Sequence, residues 1–167
     1  MDESIHIEPY SATWPGLFEA ERRNLVEILA PWLAGPIEHI GSTSVPGLSS
    51  KPIIDIMAAV GGLEQSRDAI PAIERIGYCY APYRQAVMHW FCKPSPSFRT
   101  HHLHLVPYAS DLWKERIAFR DKLRASRPLA EEYAALKRHL AEVHSTDREA
   151  YTEAKTSFIR RAVHGAA

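Results

Sequence analysis

Residues 37–60 read IEHIGSTSVPGLSSKPIIDIMAAV, and this stretch decides the fold. A short strand over 37–40 runs into residues 41–47, which are too rich in Gly, Ser and Pro for a regular element. A second strand follows over 52–60, and its nearly unbroken apolar character is typical of an inner strand covered on both faces. The sequence therefore predicts a sheet with a polar loop at the end of one strand.

Helices are predicted on both sides of this stretch. Thr13 and Pro15 indicate a helix start, that helix ends near Pro31, and Gly35-Pro36 is interpreted as a turn. Further helices are predicted over 65–76, 113–125, 129–143 and 148–162, strands over 78–80, 87–92 and 100–106, and a turn over 93–97. This order predicts an α+β or α/β sheet with helices packed on it. We expect one domain over 1–167, with a sheet-containing part of about 1–110 and a helical part of about 111–167.

Composition narrows the class of protein. Lys plus Arg and Asp plus Glu are both 20, so the chain has no excess positive charge and stable nucleic-acid binding is not expected. The first residues lack the apolar segment of a secretion signal, and no apolar run approaches the roughly 20 residues of a membrane helix. Cys79 and Cys92 lack metal-ligand spacing. We expect a cytoplasmic protein that does not bind membranes; its oligomeric state stays open.

The loop after the first strand is a candidate phosphate site. Gly41 allows close backbone approach to a ligand, hydroxyl groups follow at Ser42, Thr43 and Ser44, and Lys51 supplies a point charge suited to phosphate. The alternative is a turn whose hydroxyl groups cap the next element.

Asp55 interrupts an otherwise apolar strand. Buried carboxylates are rare unless they are paired or bind a metal, so we favour a functional role for Asp55. The alternative is an ion pair with Lys51, Arg84 or Arg99.

His102 and His104 lie two residues apart on a predicted strand and therefore share one face, while Leu103, Leu105 and His101 take the other. With Asp55, they form a reasonable ligand set for a divalent metal ion. The alternative is one histidine in the core and one at the surface.

These segments closely resemble the signature of the GrpB family. The resemblance rests on residues 37–48, 51–56, 101–106 and 119–124, on Tyr133 with Leu136-Lys137, and on Tyr151, Lys155 and Phe158-Ile159. It covers nearly the whole chain. It implies a nucleotidyltransferase-like α+β fold, a small mixed sheet flanked by helices with a helical C-terminal part.

One departure from the nucleotidyltransferase pattern stands out. That pattern has Gly-Ser after the first strand, two acids spaced by one residue on the next strand, and a third acid on a neighbouring strand. Gly41-Ser42 and Asp55 match, whereas Met57 stands where the second acid belongs and no third acid is evident. Asp55 alone is a poor magnesium site, and Asp55 with histidines suits Zn, Mn, Fe or Ni better than magnesium.

Two functions follow as hypotheses. The first is metal-dependent transfer of a nucleotidyl or phosphoryl group to a small acceptor. Asp55, His102 and His104 would hold a divalent ion, either magnesium or a transition metal. Ser42, Thr43 and Lys51 would hold phosphate oxygens, and Arg84, Arg99 or Lys155 would neutralise developing charge. The second is an accessory protein with a degenerate site that binds a nucleotide, a coenzyme-A-type ligand or a metal without catalysis.

Overall fold

The computed structural model describes residues 4–165 as a five-stranded sheet with helices on both faces. The strands are β1 (Leu33–Ile40), β2 (Ile54–Val60), β3 (Cys79–Tyr80), β4 (His89–Pro94) and β5 (Arg99–Pro107). The helices are α1 (Trp14–Leu29), α2 (Leu63–Ser66), α3 (Ile70–Glu74), α4 (Asp111–Ala125), α5 (Arg127–Val143), α6 (Arg148–Ala154) and α7 (Thr156–His164). Single 3-10 turns cover Ser42–Ser44 and Arg67–Ala69.

The sheet is mixed and has the strand order β1-β2-β5-β4-β3. β2 and β5 are parallel neighbours, and the other three pairs are antiparallel. β2 is an inner strand, which explains why Ile54, Ile56, Met57 and Val60 are all buried although they point to opposite faces. The expected inner position of this strand is confirmed.

Alternation along β2 divides the core between the two faces. Ile54 and Ile56 join Leu25 and Leu29 of α1 on one face. Met57 and Ala59 join Trp113 and other residues of α4 on the opposite face. Because side chains two apart share a face, Asp55 lies on the face that α4 covers.

The segment between β1 and β2 packs on the helical part of the chain. Val45 and Leu48 are buried with Leu123 of α4, Tyr133 of α5 and Phe158 of α7. The rings of Tyr133 and Phe158 stack with their centroids 5.2 Å apart. Helices α4, α5 and α7 therefore pack against the loop that follows β1.

The expected α+β fold, a small mixed sheet flanked by helices, is confirmed, but three local predictions are wrong. Gly35-Pro36 lies inside β1 with a register shift rather than in a turn, and proline is tolerated there because β1 is an edge strand. Thr13 is the N-cap residue of α1 as expected, although its hydroxyl group bonds the side chain of Ser11 and not the first turn of the helix. The helix predicted over 65–76 is α2, a 3-10 turn and α3, with Pro71 in the first turn of the last piece. The helix predicted over 148–162 divides at Lys155 into α6 and α7.

The remaining elements agree to within a few residues. Ser110 and Ser126 accept hydrogen bonds from the first turns of α4 and α5, so these helices begin earlier than their apolar pattern indicates. Over residues 4–165 no helix is both long enough and apolar enough to span a bilayer.

Candidate functional site

Strand pairing brings Asp55 and two histidines together. In the parallel register between β2 and β5, Asp55 lies opposite His102 and Met57 lies opposite His104. Asp55 Oδ1 is 3.1 Å from Nδ1 of His102 and 3.3 Å from Nε2 of His104. One ligand atom from each of the three side chains lies within 4.8 Å of the other two. The carboxyl side chain of Asp55 is 28% exposed, so the group is not sealed in the core.

The protonation states of the three groups follow from burial and hydrogen bonding. Burial alone raises the pKa of Asp55, but the hydrogen bonds from His102 and His104 outweigh it and hold that pKa well below its usual range. Burial lowers the pKa of His102, and it lowers the pKa of His104 to about 4. At neutral pH the cluster is thus one carboxylate with two neutral imidazoles, the form in which histidine binds metals.

Arg116 of α4 fixes the tautomer of His104. Its Nη1 lies 2.7 Å from Nδ1 of His104, and because a guanidinium group only donates, Nδ1 is the acceptor and the proton sits on Nε2. Burial lowers the pKa of Arg116 to about 10, and Asp55 opposes that shift, so the group stays charged at neutral pH.

Sequence reasoning missed Arg116 although a signal was present. Trp113, Arg116, Arg120 and Leu123 follow each other at the three- and four-residue spacing of one helix face. Trp113, Arg120 and Leu123 are buried. A charged residue on the buried face of an amphipathic helix indicates a polar partner beneath it.

A glycine is required at position 41 both by the backbone conformation there and by the nearby carboxyl group of Asp55. Its φ angle is +71°, and a β-carbon at this position would lie 2.5 Å from Oδ2 of Asp55. The backbone of the loop therefore passes directly against the carboxyl group. The close backbone approach expected of Gly41 is thus made to Asp55.

The three hydroxyl residues after Gly41 differ in their surroundings. The hydroxyl group of buried Thr43 bonds Nε2 of His39 at 2.9 Å and the carbonyl oxygen of Ile53 at 3.2 Å. The hydroxyl group of Ser44 donates to the carbonyl oxygen of Gly41. Thr43 and Ser44 thus hold the shape of the loop, whereas Ser42 is only half-buried and its side chain interacts with the phenol of Tyr133.

The basic residues named from the sequence lie around this cluster at different depths. Lys51 is half-buried; burial, followed by the neighbouring charge of Lys155, lowers its pKa to about 7, and Asp55 opposes the shift. The guanidinium of Arg99 stacks 5.2 Å from the ring centroid of Trp90, which in turn contacts His102. Arg84 is exposed, with a φ angle of +49°, and its charge acts on Arg116.

None of the expected structural partners pairs with Asp55. Within residues 4–165, the ion pairs of Asp55 are with the histidines and not with Lys51, Arg84 or Arg99.

Met57 is fully buried among apolar neighbours, so the second-acid position lies in the core. One cavity of about 300 Å³ lies among α5, α6 and α7, and another of about 450 Å³ lies between residues 46–49 and helices α4 and α5; neither is lined by Asp55, His102 or His104.

Comparison with known proteins identifies the family. The family model described as GrpB protein matches residues 4–164. A UPF0157 protein of Pseudomonas aeruginosa is 38% identical, and the match covers 96% of this chain and 66% of that protein. The glutamate-rich protein GrpB of Alkalihalophilus pseudofirmus is 34% identical, with 90% and 88% covered. The crystal structure of conserved protein GrpB from Enterococcus faecalis superimposes with a TM-score of 0.85 at 34% identity, over 95% of each chain. The chain therefore belongs to the GrpB family.

Proposed function

We propose that this GrpB-family chain is a metal-dependent transferase that moves a nucleotidyl or phosphoryl group from a phosphorylated small molecule to a small acceptor. One observation carries the proposal: Asp55, His102 and His104 converge at an open carboxyl group directly beneath the Gly41 loop. The strand–glycine loop–strand arrangement and the nucleotidyltransferase-like features of the sequence support the same reaction class.

The donor set fits a divalent transition metal ion. Ligand atoms of a tetrahedral ion with bonds of about 2.1 Å lie about 3.4 Å apart, close to the 3.1 and 3.3 Å between Asp55 Oδ1 and the two imidazole nitrogens. Two imidazoles and one carboxylate suit Zn²⁺ or Mn²⁺ better than Mg²⁺, which prefers oxygen ligands and water. His102 can bind an ion through Nδ1 if its proton moves from Nδ1 to Nε2. The Nε2 atom is free to take the proton, because it has no hydrogen-bond partner among the described residues. His104 joins the ligand set only when Arg116 leaves Nδ1.

The chain's own groups would position the substrate. Such an ion, when bound, would neutralise charge on a phosphoryl oxygen. Gly41 admits a phosphate close to the backbone, and Ser42 and Lys51 can donate hydrogen bonds to its oxygens. Arg99 and Arg116 lie close enough to the cluster to stabilise negative charge that develops during transfer.

An activity screen tests the proposal. Tag-free protein is incubated with each nucleoside triphosphate, a metabolite pool, and Mg²⁺, Mn²⁺, Zn²⁺ or Co²⁺, and release of pyrophosphate or phosphate is followed. We expect turnover that Asp55→Asn abolishes and that Asp68→Asn, at an exposed acid, leaves unchanged. Absence of turnover under every condition, or equal turnover in Asp55→Asn, would exclude the transferase.

Met57 favours a second candidate, a non-catalytic protein that binds a nucleotide, a coenzyme-A-type ligand or a metal. The position of the second carboxylate is a fully buried methionine, which offers no ligand to a hard cation. This candidate predicts that a nucleotide raises the melting temperature while the nucleotide itself stays intact over hours. Consumption of the ligand would exclude it.

A further inference from the structure

Three lysines from three different parts of the chain converge beside the Gly41 loop. Lys51 precedes β2, Lys137 lies on α5 and Lys155 lies between α6 and α7. The ammonium nitrogens of Lys51 and Lys155 lie 4.7 and 4.6 Å from the ring centroid of Tyr151. That of Lys137 lies 5.1 Å from the ring centroid of Tyr133 and donates to the carbonyl oxygen of Ser49. We call Lys51, Lys137 and Lys155 the lysine cluster.

The lysine cluster lacks a counter-ion in the described part of the chain. No ion pair between residues 4 and 165 includes any of its three members. Burial, followed by the charges of Lys155 and Lys51, lowers the pKa of Lys137 to about 6. The charge of Lys155 thus contributes to lowering the pKa of both Lys51 and Lys137. At neutral pH Lys137 is therefore largely a neutral amine and Lys51 is about half charged. An anion bound beside them would raise both pKa values and so favour the protonated, binding form.

The phenol of Tyr151, whose ring contacts both Lys51 and Lys155, is a second group without a partner in the described part of the chain. Tyr151 is fully buried, and its hydroxyl oxygen has no hydrogen-bond partner within the described residues. Burial raises the pKa of Tyr151 to about 12, so it keeps its proton at neutral pH. A buried polar group without a partner costs free energy, as the uncompensated lysines do.

The lysine cluster is open to solvent and adjoins the candidate metal ligands. Lys51 and Lys155 are half-buried, so part of each side chain faces solvent, whereas Lys137 is buried. Asp55 acts on the charge of Lys51, and Tyr133 interacts with Ser42 of the loop. A chain of phosphates that begins at Asp55 and the loop would therefore continue into the lysine cluster.

We propose that Lys51, Lys137 and Lys155, set between Tyr133 and Tyr151, form a subsite for a polyphosphate chain of two or three phosphates. Ammonium groups are point charges that bind phosphate oxygens without fixed geometry, and three of them match the several negative charges of such a chain. The inference deepens the proposed function, on which it rests for the group transferred, and it identifies the donor class as a di- or triphosphate.

Binding of inorganic pyrophosphate and tripolyphosphate, measured by calorimetry on the full chain with EDTA and no metal, tests the subsite. We expect both probes to bind more tightly than orthophosphate. Lys137→Met and Lys155→Met should each weaken tripolyphosphate affinity about tenfold, while Lys155→Arg and the exposed-site control Lys114→Met stay within about twofold of the wild type. A parallel titration with ATP distinguishes an inorganic chain from a nucleotide: tighter binding of ATP identifies the nucleotide, and equal or weaker binding the inorganic chain.

The outcomes separate this inference from the transferase. No binding of either chain, or affinity unchanged in both methionine variants, overturns the subsite even if transfer is observed. Metal-free binding that both variants weaken, without turnover in any metal, supports the subsite and removes only the transferase.

Discussion

Gly41 and Asp55 are in such close contact that a β-carbon on the glycine would lie 2.5 Å from Oδ2 of the carboxylate. The loop after β1 and strand β2 are therefore tightly coupled, because the backbone conformation at Gly41 determines how much space is left for the side chain of Asp55. The positive φ angle of Gly41 adds a backbone requirement to this steric one.

We predict that Gly41→Ala damages both stability and the site. Gly47→Ala is the matched control, since Gly47 has a φ angle of +82° but nothing within 4 Å of its added β-carbon. Both variants carry the cost of a left-handed backbone, about 1 kcal/mol or more, and only Gly41→Ala also displaces Asp55. Chemical denaturation and zinc titration should show Gly41→Ala less stable than Gly47→Ala and weaker in zinc binding. Equal behaviour of the two variants would show that the contact is unimportant.

Arg116 is expected to oppose metal binding at His104. It occupies Nδ1 and so keeps the proton on Nε2, the nitrogen that faces Asp55. Arg116→Met frees the ring to change tautomer and removes a cation, so zinc affinity should rise by about tenfold or more. Arg127→Met, at an exposed arginine, is the control. A fall in affinity would show that Arg116 supports the ion rather than competing with it.

Lys137 is expected to reduce stability. The residue is 2% exposed, and burial lowers its pKa to about 6, so folding costs free energy at neutral pH because the amine must give up its proton. Replacing such a group with an apolar side chain of similar volume is often stabilising by about 1–4 kcal/mol, although the Ser49 carbonyl loses its donor. Lys137→Met should therefore raise the midpoint of urea unfolding relative to the wild type, with Lys114→Met unchanged. A lower midpoint would mean that the hydrogen bond to Ser49 outweighs the cost of burying the amine.

His39 makes stability depend on pH. Burial lowers its pKa from 6.5 to about 4, with Asp55 opposing the shift and Arg124 and Arg120 adding to it. Between pH 4 and 6.5 the unfolded chain therefore binds more protons than the folded one, so this residue's contribution to stability falls as the pH is lowered through that range. His39→Gln should flatten the fall in unfolding free energy by up to about 3 kcal/mol between pH 6.5 and 4. The exposed-residue variant His139→Gln should keep the wild-type slope, and an unchanged slope in His39→Gln would refute the assignment.

The local sequence pattern was sufficient to predict which residues form much of the candidate metal site. Asp55 stands out because a charged residue interrupts an apolar strand, and period-two alternation places His102 and His104 on one face. Their meeting depends on the parallel pairing of β2 with β5, a contact between segments about 47 residues apart that no local signal encodes. For Arg116 the helix spacing indicates a buried position, but its partner His104 lies on another element and cannot be read from that spacing.

Glycine and proline were less dependable as signals for where strands and helices end. Gly35-Pro36 has turn chemistry, yet an edge strand tolerates both residues because its outer side needs no hydrogen bonds. The break at Lys155 has no glycine or proline to mark it, and there the side chain lies over the ring of Tyr151. The lysine cluster was only partly predicted: Lys51 and Lys155 were named as candidate site residues, whereas Lys137 was named only among the residues that resemble the family signature.

Zinc titration of tag-free protein, followed by calorimetry, tests the central claim that Asp55, His102 and His104 hold a metal ion. We expect one ion per chain in the wild type, affinity reduced about a hundredfold or more in Asp55→Ala and His102→Ala, and wild-type affinity in Asp68→Ala. Absence of binding by the wild type, or equal affinity in Asp55→Ala, would contradict the account.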